Sequence, residues 1–159
     1  MTEIRYGEDF LFDEVFPLVK KYHQIPDDVL IRRHATINNL EIDVFLKWRK
    51  GFQVRTMILE LKGKDLIKLL DQCIRRRQLA DWIYGVIDLN VHTVFDIILY
   101  SDDYLKKLKH ARDLGIGLIA IYIEHEPKRI LSRKPIMILK SKKRPKSLLQ
   151  YLLEERDEK

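Results

Sequence analysis

A single cysteine, Cys73, stands among 159 residues, which excludes an intramolecular disulfide and a cysteine-rich zinc site. The five histidines (His23, His34, His92, His110, His125) contain no pair four residues apart and show no zinc spacing. The longest apolar run, Ile116 to Ile123, is interrupted by a glycine and is far too short to cross a bilayer. The N-terminus is charged and lacks the apolar core of a signal peptide, so the expected compartment is the cytoplasm, with no membrane partner. Glycine is scarce, at six residues. The one Gly-x-Gly, Gly115-Ile116-Gly117, lacks a third glycine and follows a helix, the reverse of the order a dinucleotide loop needs. No internal repeat and no low-complexity linker is present.

What remains is a chain with 46% hydrophobic and 34% charged residues, the composition of one globular domain, residues 1–159, large enough to bury its own core. The net charge is +6. Between Pro127 and Ser147 stand nine basic residues (Lys128, Arg129, Arg133, Lys134, Lys140, Lys142, Lys143, Arg144, Lys146) and no acid. That one segment exceeds the whole net charge, so the rest of the chain is net negative. Basicity concentrated in this way suits a surface for a polyanion, although a solvated charged loop reads the same.

Periodicity sets the elements in order. Residues 8 to 23 carry Phe12, Val15, Phe16 and Val19 on a helical stripe, with Pro17 either opening the regular part or kinking it. Residues 29 to 37 predict a strand, and Asn38-Asn39 a turn. Glu41 to Lys62 predicts a hairpin. In its first strand Ile42, Val44, Leu46 and Trp48 point one way and Asp43, Phe45, Lys47 and Arg49 the other. The second strand, with Met57, Ile58, Leu59 and Leu61, is apolar on both faces, as if covered above and below.

Residues 65 to 80 predict a helix with Leu66, Leu69, Leu70, Cys73 and Ile74 buried and Gln72, Arg75, Arg76 and Arg77 on its other side. Trp82 to Ile87 is a buried strand, and residues 91 to 100 fit helix or strand. Ser101-Asp102-Asp103 is an N-cap for a helix running to Leu114 and closed by Gly115. Gly117 to Glu124 is a strand, Pro135 to Leu139 an edge strand, and Pro145 opens a last amphipathic helix to about residue 156. This order predicts an α/β (α+β) domain: a central mixed β-sheet flanked by helices.

The hairpin carries the chemistry. With Lys50-Gly51 as a two-residue turn, Asp43 faces Ile58 and lies diagonal to Glu60 on the same face. Glu60 and Lys62, two apart, share that face. An aspartate, a variable gap, then Glu-x-Lys at the end of a buried strand is an arrangement that cleaves phosphodiesters. Its hard oxygens suit Mg²⁺ (or Mn²⁺), which makes a bound water more acidic and neutralises charge on the phosphate. The lysine can orient or deprotonate the attacking water. A plain strand-end ion pair is the alternative for Glu60 and Lys62.

These residues resemble the PD-(D/E)XK nuclease superfamily, with its restriction-endonuclease-like fold. Ile42-Asp43 stands where the family has Pro-Asp or a variant, and Glu60-Leu61-Lys62 where it has (D/E)xK. The run Ala111 to Ile121 is similar to the late helix–strand unit of archaeal members. The resemblance implies a Mg²⁺-dependent endonuclease acting on DNA, with Asp43, Glu60, Lys62 and Gln72 catalytic. It implies Asp43, Glu60, the Leu61 carbonyl and Glu14 as metal ligands, with Glu8 as substitute for Glu14. Gln72 matches the family's Gln-x-x-x-Tyr motif, but Arg76 occupies the tyrosine position and becomes a phosphate contact. Lys128, Arg129, Lys140, Lys142, Lys143 and Arg144 would hold the phosphate backbone. A homodimer is attractive because one site cuts one strand. A nucleic-acid-binding module of the same fold, without catalysis, is the alternative.

Overall fold

Paired asparagines set the first reversal of the sheet. In the computed structural model, which describes residues 2–125 and 131–144, Asn38 and Asn39 both take the left-handed conformation, with φ of 50° and 64°. A two-residue turn of that kind matches the twist of an antiparallel pair. It joins β1 (Leu30–Ile37) to β2 (Leu40–Lys50) where the dipeptide predicts.

The next turn comes one residue later than expected. Gly51 and Phe52 form its tip, and Lys50 pairs with Gln53 at the start of β3 (Gln53–Lys62). Of the two tip residues only Gly51 has a positive φ, 64°. Glycine is favoured first in a hairpin turn for that reason. Phe52 is left fully in solvent. The later turn moves every pairing by two positions, so Phe45, not Asp43, faces Ile58. A two-residue displacement leaves each side chain on its own face.

The chain continues through α2 (Leu66–Arg76), a single 3₁₀ turn (Arg77–Leu79), β4 (Trp82–Asp88), α3 (Val91–Leu99), α4 (Ser101–Asp113), β5 (Gly117–His125) and β6 (Leu131–Leu139). The six strands lie in chain order, antiparallel from β1 to β3, parallel from β3 to β5, and antiparallel again at β6. This is a mixed α/β architecture. The helix α1 (Thr2–His23) covers one face, packing Leu11, Val15 and Val19 on Met57, Leu59, Leu61 and Tyr84. On the other face, α2 and α4 pack Leu69, Cys73, Tyr104 and Ala111 on Ile58, Ile83, Ile87 and Leu118. Because β3 is covered twice, its apolar residues on both faces are buried, as its unbroken run predicts.

Two glycines make this packing fit. A Cβ on Gly117 would stand 2.3 Å from the Tyr84 ring and 2.7 Å from the Ser141 nitrogen. On Gly85 it would press within 3.1 Å of Leu69, so the bare backbone there lets α2 lie close to β4.

Several expected boundaries change. The helix α1 starts at Thr2 and runs through Pro17, whose ring is exposed. Residues 91–99 are helical because Asn90 caps them, accepting the Thr93 N–H at 3.0 Å. Ser101 is the first residue of α4, not its cap. Tyr100 alone joins the two helices and holds the cap position with no side-chain bond. The edge strand β6 begins at Leu131. The helix expected from Pro145, and with it Lys128, Arg129 and Lys146, lies outside the described residues. Among the described residues, no helix is long and apolar enough to cross a membrane.

Candidate active site

The corrected register brings the two acids of the hairpin together. The ladder between β2 and β3 closes at Val44–Leu59. At the next position the Asp43 carboxylate accepts the Leu61 N–H at 2.8 Å, a side chain continuing what backbone began. Asp43 therefore lies beside Glu60, close enough for their carboxyl groups to share a hydrogen bond. Lys62, half-buried, follows on the same edge of β3, level with Ile87 of β4. Asn90 holds the loop beyond it, donating to the Gly63 carbonyl at 2.7 Å while capping α3.

Glu60 is the unusual member. It is only 2% exposed, on the face covered by α2 and opposite the side-chain-free Gly85. Burial pushes its carboxyl up to about 9, and the neighbouring Asp43 adds to the effect by charge and by a side-chain hydrogen bond. Arg76 opposes the rise: its Nε lies 2.9 Å from Glu60 Oε1. That N–H also points to the Glu41 carbonyl at 3.2 Å, and Nη1 donates to Gln72 O at 3.2 Å. The guanidinium is thus an ion partner for Glu60 without an aligned hydrogen bond, and Oε1 is left buried with no hydrogen-bond partner. Cys73 lies below this group, its thiol driven well above the ordinary range by burial and by Glu60.

The arginines of α2 depart from expectation. The sequence pattern places Arg76 and Arg77 on the outer side with Gln72 and Arg75, but three or four residues beyond Cys73 a helix returns to the same face. Arg76 turns to Glu60. Arg77 is 2% exposed and donates to the carbonyls of Ala80, Asp81, Leu114 and Lys142 at 2.6 to 3.3 Å. Only Arg75 of the three is exposed. Gln72 is half-buried one turn before Arg76, whose guanidinium its carbonyl receives. The role of Arg76 as counter-charge was readable from its spacing behind Leu69 and Cys73.

Glu14, expected to complete the ligand set, is engaged elsewhere. Arg133 Nε donates to its two oxygens at 2.9 and 3.1 Å, and Nη2 of the same guanidinium reaches Asp88 at 3.2 Å. Among the described residues no three His, Cys, Asp or Glu side chains stand close enough to share one metal ion. Asp43 and Glu60 form a pair, without Glu14. The side chain of the substitute, Glu8, lies outside the described residues.

The basic segment divides as well. Arg133 and Lys134 pair with Ile123 and Tyr122, beyond the Asp88 end of the sheet that also carries Lys62. Lys140, Lys142, Lys143 and Arg144 follow β6 to the opposite end, near the start of β4 and β5. Arg144 is committed there, its backbone N–H to Asp81 O at 2.8 Å and its guanidinium to Gln78 O.

No family model matches the chain, and no curated protein matches it. Among solved structures it is similar to Pyrococcus furiosus SfsA in complex with Ca²⁺, at 11% identity and a TM-score of 0.39. The match covers 87% of this chain and 62% of that one, so the chain spans under two thirds of that protein's length.

Proposed function

We propose that this chain is a metal-dependent nuclease of the restriction-endonuclease-like type, hydrolysing phosphodiester bonds in DNA. The observation that carries the reading is the Asp43–Glu60 pair: two carboxyl groups in hydrogen-bonding contact on adjacent strands, one with a buried oxygen lacking a hydrogen-bond donor. A buried acid beside a half-buried one is costly unless a cation uses them. The donor set fits Mg²⁺ or Mn²⁺, which bind through one or two carboxylates and keep waters and phosphate for the remaining positions. Asp43, Glu60 and the Leu61 carbonyl would hold such an ion, and when bound it supplies a more acidic water and neutralises phosphate charge. Lys62, on the same edge of β3, would orient or deprotonate the attacking water, or stabilise the developing negative charge. Gln72 fixes Arg76 through its carbonyl, and Arg76, released from Glu60, meets a phosphate oxygen.

Nicking of supercoiled plasmid tests this. Cleavage that requires Mg²⁺ or Mn²⁺ and disappears in Asp43→Ala and in Lys62→Ala is the expected result. A specific observation also favours a second reading, a nucleic-acid-binding module without chemistry. Arg76 already stands 2.9 Å from Glu60, a positive group beside the position a cation would take. Salt-sensitive binding to DNA or RNA with no cleavage of linear, branched or single-stranded substrates in Mn²⁺ would select that reading over the first.

A further inference from the structure

The opposite end of the sheet carries a hollow that the acid pair does not use. It measures about 400 Å³ and is lined by His23, Trp82, Lys140, Ser141, Lys142 and Lys143, within the size range of small-molecule pockets. It is on the other face from Glu60: Tyr84, next along β4 on this side, packs with α1, whereas Ile83 packs with α2 and α4. Its wall is aromatic. Trp82 stacks on Trp48 with centroids 5.8 Å apart and planes 13° apart, and His23 packs against Trp82 at 5.2 Å. Its rim is cationic, and no carboxylate lines it among the described residues. Arg55 adds a further guanidinium over the Trp82 ring at 5.5 Å, its buried Nε without a hydrogen-bond partner.

The lysines are held in place from behind. Ser141, 2% exposed, donates to Gly115 O at 2.8 Å and accepts from Ile83 N at 3.1 Å. Lys142 donates its N–H to Gly115 O at 2.9 Å, and its carbonyl takes Arg77 Nη2 at 2.7 Å. The backbone is therefore fixed while the Lys142 and Lys143 side chains are exposed. His23 meets the Tyr84 hydroxyl at 2.6 Å and stays neutral at physiological pH, its ring held down to about 4 by burial and by Lys140. Lysines with no carboxylate among the described lining residues, set on a fixed backbone around a concave wall, favour a compact dianion over a long, singly charged chain, and a phosphate monoester is such a group near neutral pH.

We propose that this hollow is a second, separate site that binds a phosphate monoester, carried by a free nucleotide or by the 5′ end of a nucleic-acid strand. Tryptophan fluorescence of the full chain in EDTA tests it, since Trp82 lines the hollow and the readout needs neither a divalent ion nor cleavage. Its failure is thus distinguishable from failure of the nuclease reading. The ligands are AMP, inorganic phosphate, and single-stranded oligonucleotides with a 5′-phosphate or a 5′-hydroxyl.

Saturable, salt-sensitive quenching by AMP or phosphate supports a free ligand. Quenching only by the 5′-phosphorylated strand supports a strand end. In either case Lys142→Ala with Lys143→Ala weakens the response at least tenfold, and the charge-matched Lys106→Ala with Lys109→Ala on α4 does not. A response equal for the 5′-phosphate and 5′-hydroxyl strands with none from AMP or phosphate overturns the proposal. So does an unaltered affinity in the Lys142/Lys143 variant, or equal weakening in both double variants.

Discussion

Replacing Glu60 by glutamine should remove a pH dependence that the native protein carries in its stability. In the unfolded chain this carboxyl releases its proton near the ordinary value of 4.5, whereas in the folded protein it holds it to about 9. Between those limits the folded state binds one proton more than the unfolded state. The contribution of this carboxyl to stability is therefore greatest below 4.5, falls as pH rises, and stops falling above 9. One proton corresponds to about 1.4 kcal/mol per pH unit, so from pH 7 to 8.5 the loss is about 2 kcal/mol. This window lies above the titration of His23, whose depressed value gives stability that is complete above about 6.5 and is lost as pH falls toward 4. With a urea slope near 2 kcal/mol per molar, the unfolding midpoint should drop by about 1 M across the window. Glu60→Gln keeps the shape, cannot ionise, and should show a flat midpoint. A native midpoint that does not move, or one that moves equally in Glu60→Gln, refutes the assignment of a buried, protonated carboxyl.

The same proton governs cation binding. If Asp43 and Glu60 hold Mn²⁺, binding expels it, so calorimetric affinity should rise roughly tenfold per pH unit between pH 7 and 8.5; a pH-independent affinity argues against Glu60 as a ligand. Arg77→Met strands four carbonyls around a buried position, costing roughly 3–5 kcal/mol. Thermal unfolding should come about 10 °C lower, and a loss under 2 °C would contradict the clamp. Gly117→Ala forces a Cβ against Tyr84 and the Ser141 backbone and should cost about 1–3 kcal/mol in urea. The control Gly63→Ala, which meets nothing within 4 Å, should be near neutral.

The sheet was legible because its strands declare themselves by different rules. Asn38-Asn39 is a turn by its own conformational preference, and the double-faced apolar run of β3 requires cover on both sides. The shared face of Glu60 and Lys62 follows from alternation, but that of Asp43 does not, because strict alternation breaks beside it: Ile42 packs with the α2-side cluster and Val44 with the α1-side one. Nor does the register, because Lys50-Gly51 and Gly51-Phe52 are both chemically acceptable turns, and only the packed core chooses between them. Residues 91–99 were ambiguous because they are apolar nearly all round; Val94, Phe95, Ile98 and Leu99 are exposed in the structure, so no buried stripe marked the helix. Glu14 comes only from the family resemblance, and nothing in the sequence shows that Arg133, far along the chain, claims it. The arginine cluster was misjudged because buried guanidinium groups are rare. Helical spacing pointed Arg76 and Arg77 inward, and their charge argued outward.

The Arg77 clamp ties folding to the far end of the described chain. Each strand lies beside its predecessor, so the sheet can assemble locally, one strand upon the next, as the polypeptide emerges. The guanidinium becomes fully satisfied only when the Lys142 carbonyl arrives, sixty-five residues later. Until then a charged group sits short of one partner beneath the half-built sheet, and the arrival of that last segment locks the layers together.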